Sequence, residues 1–174
     1  MGRFYNSRSN RVYADYKDIA PCLIDALIAT EDSQFTEHSK TGMQGDKSSG
    51  GVSTITQQLA KMLYLPESER GTTARARQKH DEMVMAVMLE QFYSKEEIIK
   101  LYLNQFDFLY NAKGIRSAAN IYFSKEAKDL ELHEAAMLVG MLKNPSYYNP
   151  VINPVNAMER RNVVFEQMVK AKKI

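Results

Sequence analysis

The stretch Pro21-Cys22-Leu23-Ile24-Asp25-Ala26-Leu27-Ile28-Ala29-Thr30-Glu31-Asp32 decides the fold. Proline suits a first helical turn, and the residues after it are apolar on nearly every side, ending near Asp32. A helix apolar all round is a buried one, so the rest of the chain must enclose it. It ends in two carboxylates. Glu31 follows Leu27 by one turn, on the same stripe and near the C-terminal end, where desolvation and the helix dipole both disfavour charge. A carboxylate so placed suits general acid or base work. A helix-end carboxylate paired with Arg or Lys fits the position equally well.

Working outward, residues 1–17 show weak alternation and read as a short strand or extended arm. Residues 39–51, rich in Gly, Ser and Lys, read as a mobile loop. A second helix is expected from Thr54, with Gln57 closing a capping box, to about Leu65 before Pro66. After a polar connection over 66–74, a long helix is expected from about Ala76 to Tyr93, its Met83–Met88 segment being core. Ser94 and Glu97 have capping-box spacing for a helix ending near Asn104. Two more helices, about Ile115–Tyr122 and Leu132–Leu142, precede a turn-rich segment. A last helix from Pro154 places Met158, Phe165 and Met168 on one stripe. The chain is therefore expected to be one predominantly helical domain over residues 1–174.

Bulk properties narrow the function. The 23 basic and 21 acidic side chains leave a formal charge of +2, which gives no global field for nucleic acid. Cys22 is the only cysteine, so an internal disulfide is excluded, and the thiol reads as buried and inert. The longest apolar runs, Met83–Leu89 and Ala135–Leu142, fall short of the roughly 20 residues that span a bilayer, and no signal peptide is expected. His38, His80 and His133 lack metal-ligand spacing, and no Gly-x-Ser-x-Gly elbow occurs. Tyr102, Tyr147 and Tyr148 read as packing residues rather than sugar platforms.

Two further groups carry chemistry. In Gly50-Gly51-Val52-Ser53-Thr54-Ile55-Thr56-Gln57-Gln58-Leu59-Ala60-Lys61, glycines precede a helix start whose free N–H groups favour an anion, and Lys61 adds a point charge. Ser53, Thr54, Thr56, Gln57 and Gln58 need partners if buried, and a sugar or phosphate would supply them. The run Arg70, Arg75, Arg77, Lys79, His80, Asp81, Glu82 is either a solvated face or a basic cluster beside a carboxylate anchored at the start of an apolar helix. The second reading suits an acceptor sugar next to a pyrophosphate.

These motifs resemble the peptidoglycan glycosyltransferase domain (glycosyltransferase family 51) of class A penicillin-binding proteins and monofunctional glycosyltransferases. The first motif stands as Glu31, Asp32, Phe35 and His38, and the second as Gly51, Ser53, Thr54, Thr56, Gln57 and Gln58. The third is met by Lys79 and Glu82, with Gln78 where the family has arginine. The fourth is carried by Lys95, Ile98, Tyr102, Leu103 and Asn104, the fifth by Arg160, Arg161, Asn162, Val163 and Met168. The resemblance implies a mainly α, lysozyme-like bilobal fold with a large head lobe and a small jaw lobe. The jaw is shortened here, because only Ser39 to Ser49 joins the first two motifs.

It further implies lipid II and the growing glycan strand as partners, Glu31 as general base, and Glu82 acting on the acceptor side. Asp32, Phe35, His38, Ser53, Thr54, Thr56, Gln57, Gln58, Lys61, Arg70, Arg75 and Lys79 would bind substrate. No cofactor is required by the sequence and no metal ligand is assigned, although the resemblance admits a divalent Mg or Mn ion. By the same resemblance the native partners include the outer face of the bacterial inner membrane and a transpeptidase domain in the parent protein, and the anchoring helix is expected to be absent from this chain. Two rival readings stand beside this one: glycan cleavage by a lytic transglycosylase or lysozyme, and a non-catalytic module that binds lipid II.

Overall fold

The computed structural model describes residues 13–37, 53–64 and 72–174. Seven helices carry these residues: α1 Pro21–Glu31, α2 Ile55–Tyr64, α3 Thr72–Phe92, α4 Lys95–Gln105, α5 Ile115–Phe123, α6 Leu132–Leu142 and α7 Pro154–Lys170. Among the described residues there is no strand, only an isolated bridge between Asp107 and Lys113. The mainly α architecture expected from the sequence is therefore what the chain adopts. Most of the segment 1–17, where a short strand or extended arm is expected, lies outside the described residues, and its described end forms a 3-10 turn at Tyr16–Asp18. The expected loop 39–51 lies outside the described residues.

Helix α1 begins with Pro21 and buries Leu23, Ile24, Ala26, Leu27 and Ala29 against α6 and α7. Helix α6 is buried almost all round, from Glu134 to Leu142. Its Gly140 permits close approach of α7, since a Cβ there would sit 3.1 Å from Cγ of Arg160. Helices α2, α3 and α4 pack on one another, and the buried apolar residues of both groups form one cluster. Hydrophobic burial of this kind, roughly 25 cal/mol per Å² of apolar surface, supplies the main driving force.

Local signals set the ends. Both halves of the Ser94–Glu97 capping box are present, with the Ser94 hydroxyl accepting from the Glu97 N–H at 3.2 Å and Glu97 accepting from the Ser94 N–H at 2.7 Å. At α2 only half of the expected box forms: Thr54 accepts from the Gln57 N–H at 3.2 Å, while the Gln57 side chain bonds elsewhere. Gly114 starts α5 at φ 80, and a Cβ on it would lie 2.8 Å from the Asn104 carbonyl oxygen. The Asn104 side chain binds both backbone groups of Ala14 at 2.8 Å, fastening the N-terminal segment to α4.

Two expectations about faces are corrected. Met158 is half exposed on α7, whose buried residues are Ala157, Val164 and Met168. The Met83–Met88 segment is core only in part: Ala86 is buried and Met85 packs on the cluster, but Met83, Val84 and Met88 face outward and Phe92 is 75% exposed. What α3 buries is Gln78, Glu82, Ala86, Leu89 and Glu90, a stripe at helical spacing made mostly of polar residues. Glu82 consequently lies in the middle of α3, not at its start. Cys22 is half-buried and donates its S–H to the Leu130 carbonyl at 3.4 Å, and burial pushes its pKa up, which keeps the thiol unreactive.

Candidate active site

Chain direction at the end of α1 builds the site. Asp32 leaves the helix with φ −162, its N–H still donating to the Ile28 carbonyl at 3.1 Å. Its buried carboxylate accepts from the Ile55 N–H at 3.2 Å, at the start of α2. An anion does bind this helix start, as its sequence suggests, but the anion is Asp32 of the same chain. The Asp32 carbonyl accepts from the Phe35 N–H at 2.9 Å, and the turn inserts the fully buried Phe35 ring beneath the Lys95 ammonium, 4.4 Å from its centroid.

With α2 fixed at its start, Gln58 lies within reach of α1. Its Nε2 donates to Glu31 Oε2 at 2.9 Å and to the Ser53 carbonyl at 3.4 Å. Its Oε1 accepts from the Tyr102 hydroxyl at 2.9 Å. Tyr102 is fully buried, and burial, reinforced by the Glu31 charge, pushes the phenol pKa far up, so the hydroxyl remains a donor. Sequence reading takes Tyr102 as packing alone, and the packing role is met as well, with Phe106 at 6.2 Å between ring centroids.

A second set of bonds joins α2 to α3. Lys79 donates to Ser53 Oγ at 2.6 Å and Gln57 Oε1 at 2.9 Å, and pairs with the buried Glu82 at 3.3 Å. Below it, Thr56 donates to Glu90 at 2.5 Å, and Lys95 pairs with the other Glu90 oxygen at 2.6 Å. The polar run of α2 is thus satisfied largely by the chain itself, where a sugar or phosphate was the expected partner. Glu90 is the residue that sequence reading misses. Its signal is spacing, two turns after Glu82 on the same stripe.

Of the residues singled out by motif, Glu31, Asp32, Phe35, Ser53, Thr54, Thr56, Gln57, Gln58, Lys79 and Glu82 come together through these contacts. Lys61 and Arg75 are exposed and bond to no other described residue. Arg77 is exposed while Gln78 is buried, so Arg77 does not take the place of the family's arginine. His38 and Arg70 lie outside the described residues. A cleft of about 290 Å³ opens at Glu31, Asp32, Ser53 and Thr54, walled on the far side by Gln167 and Lys170 of α7. Neither α7 residue is suggested by the motifs.

Among the described residues no three His, Cys, Asp or Glu side chains converge on one point. Among the same residues no helix is long and apolar enough to cross a membrane.

Residues 1–169 match the family described as transglycosylase. The chain is 39% identical over 175 residues to penicillin-binding protein 1A of Neisseria lactamica, which covers 94% of this chain and 21% of that protein. It is 39% identical over 163 residues to penicillin-binding protein 1A of Vibrio cholerae, covering 87% of this chain and 19% of the relative. The protein of the same name from Neisseria flavescens is 40% identical over 171 residues, or 92% of this chain. The chain spans about a fifth of the length of these curated relatives.

Proposed function

Because this chain belongs to the transglycosylase family, we propose that it polymerises lipid II into β-1,4-linked glycan strands, with Glu31 as general base. The observation that carries the reading is the Glu31 carboxylate, held by an amide donor at the edge of a cleft lined with hydroxyls.

In the proposed reaction Glu31 accepts the proton of the acceptor sugar's 4-hydroxyl as that oxygen attacks the anomeric carbon of the lipid-linked strand. The new C–O bond forms as the bond to pyrophosphate breaks, with inversion at carbon. The electron pair leaves on the polyprenyl pyrophosphate, which needs charge neutralisation more than a proton. Lys79 is the best placed cation, being fixed beside Ser53 and Gln57, and Lys61, Arg70 and Arg75 complete the proposed clamp. Glu82 holds Lys79 from below and through it serves the acceptor side. Asp32 and Phe35 set the backbone turn that presents Glu31; with Thr54, Thr56 and His38 they remain candidates for sugar contacts. No step is routed through a metal. In the native setting the domain would work at the outer face of the bacterial inner membrane, joined to a transpeptidase domain of the parent protein.

The test is polymerisation of lipid II in detergent. Glu31→Gln is expected to fold normally and to produce no strands, and substantial polymer from that variant would sink the base assignment. Purified glycan strands incubated with the parent chain should remain uncut. Their shortening would favour the lytic reading, and binding of lipid II without turnover the non-catalytic one.

A further inference from the structure

The amide of Gln58 has two chemically different ends, and its surroundings dictate which faces Glu31. One end meets two acceptors, Glu31 Oε2 at 2.9 Å and the Ser53 carbonyl at 3.4 Å. The other meets the Tyr102 hydroxyl at 2.9 Å. Rotating the amide by half a turn would set its oxygen against two oxygens and its NH₂ against a donor. Tyr102 cannot swing aside, because the residue is fully buried on α4 and packed against Phe106.

We infer that Tyr102 and Gln58 form a clamp that keeps the Glu31 carboxylate aimed into the cleft, which makes Tyr102 a positioning residue for the base. The inference rests on the reading of Glu31 as that base. Among the described residues the other charged groups lining the cleft are Asp32, beside it on the chain, and Lys170 on α7, with Lys79 and Glu82 of α3 behind Ser53. None of them bonds to Glu31, whose one hydrogen bond to a described side chain is the Gln58 amide. Asp32 is engaged by the α2 start, and Lys79 by Ser53, Gln57 and Glu82. Among the described side chains the amide is therefore the contact that holds the Glu31 carboxylate, and Tyr102 is the contact that sets the amide.

Tyr102→Phe keeps the ring in place and removes only the donor to Gln58 Oε1. The amide then holds its orientation less firmly, and each departure withdraws the N–H that aims the carboxylate. The experiment is the kcat and KM of lipid II polymerisation for the parent chain, Tyr102→Phe, Gln58→Glu and Glu31→Gln, with thermal unfolding of each. For Tyr102→Phe kcat should fall by about three- to tenfold while KM stays within about twofold, the pattern of a misplaced reacting group rather than of weakened binding. For Gln58→Glu the N–H gives way to a second carboxylate oxygen facing Glu31, and kcat should fall by more than about tenfold. If Tyr102→Phe fails to fold, Gln58→Glu decides the matter alone. An unchanged kcat in a folded variant overturns the clamp, as does a loss carried by KM. An inactive Glu31→Gln beside that unchanged kcat leaves the base reading standing, whereas an active Glu31→Gln removes the base reading itself.

Discussion

Helices α6 and α3 bury opposite kinds of residue. Helix α6 is enclosed by α1 and α7, and from Ala135 to Leu142 it offers the core almost nothing but apolar side chains and a glycine. Helix α3 turns Gln78, Glu82 and Glu90 inward and leaves Val84, Met88 and Phe92 outside. The difference teaches where each group of helices derives its order. Around α6 the core is dry, and shape decides. Between α2, α3 and α4 the order comes from partnered charge: Glu82 with Lys79, and Glu90 with Thr56 and Lys95. A buried ion pair adds little net stability but is costly to break from one side, so this half tolerates fewer single changes.

The largest expected effect tests that asymmetry. Lys95→Met leaves the Glu90 carboxylate buried without its cation and should cost about 3–5 kcal/mol in urea unfolding. Glu90→Gln combined with Lys95→Met should recover more than half of that loss. If the double variant is as unstable as the single one, partnered charge is not what orders this half. In the dry half, Leu138→Ala should cost about 2–5 kcal/mol through lost transfer energy and a cavity, with no such rescue by a second polar change.

A smaller effect is expected at the junction between the halves. Asp32→Asn keeps an oxygen near the Ile55 N–H but removes the charge from the helix start, at a cost of about 1 kcal/mol in the same unfolding measurement. A loss of rate larger than this stability change would show that Asp32 also touches substrate. The smallest effect sharpens the reading of α3 itself. Phe92→Ser, at an exposed position, should shift stability by no more than about 0.5 kcal/mol, while Leu89→Ala on the buried stripe should cost about 2 kcal/mol or more.

The dry half was legible in the sequence for the same reason that it is dry. Pro21–Glu31 and Leu132–Leu142 are apolar on most of their surface, so periodicity could hardly mislead, and the second of these ranges coincides with the helix found. Capping at Ser94–Glu97 was equally legible, because both partners lie within one turn. Helix α3 was not. Its apolar residues have the spacing of a core face, and only the partners of Glu82 and Glu90 reveal that the opposite face is inside. Those partners arrive from α2 and α4. Thr56 and Glu90 are 34 residues apart in the chain, a separation across which no local pattern carries information. Within the site, the motifs named Glu31 and Gln58 separately, and their hydrogen bond, together with the part played by Tyr102, emerged only from the packing of three helices.

The bond between the Asp32 carboxylate and the Ile55 N–H has a consequence for how this segment can evolve. It closes the base of the excursion between the first two motifs, so the excursion is anchored independently of its own length. Loop closure cost grows slowly, by about 0.6 kcal/mol for each doubling of length, so a longer segment adds little to the cost of keeping that bond closed. Insertions and deletions between Glu37 and Ser53 can therefore change the length of the segment without altering where Glu31 stands. Length and local geometry can then vary as separate traits, and the length of this segment becomes a poor guide to whether the arrangement around Glu31 has been retained.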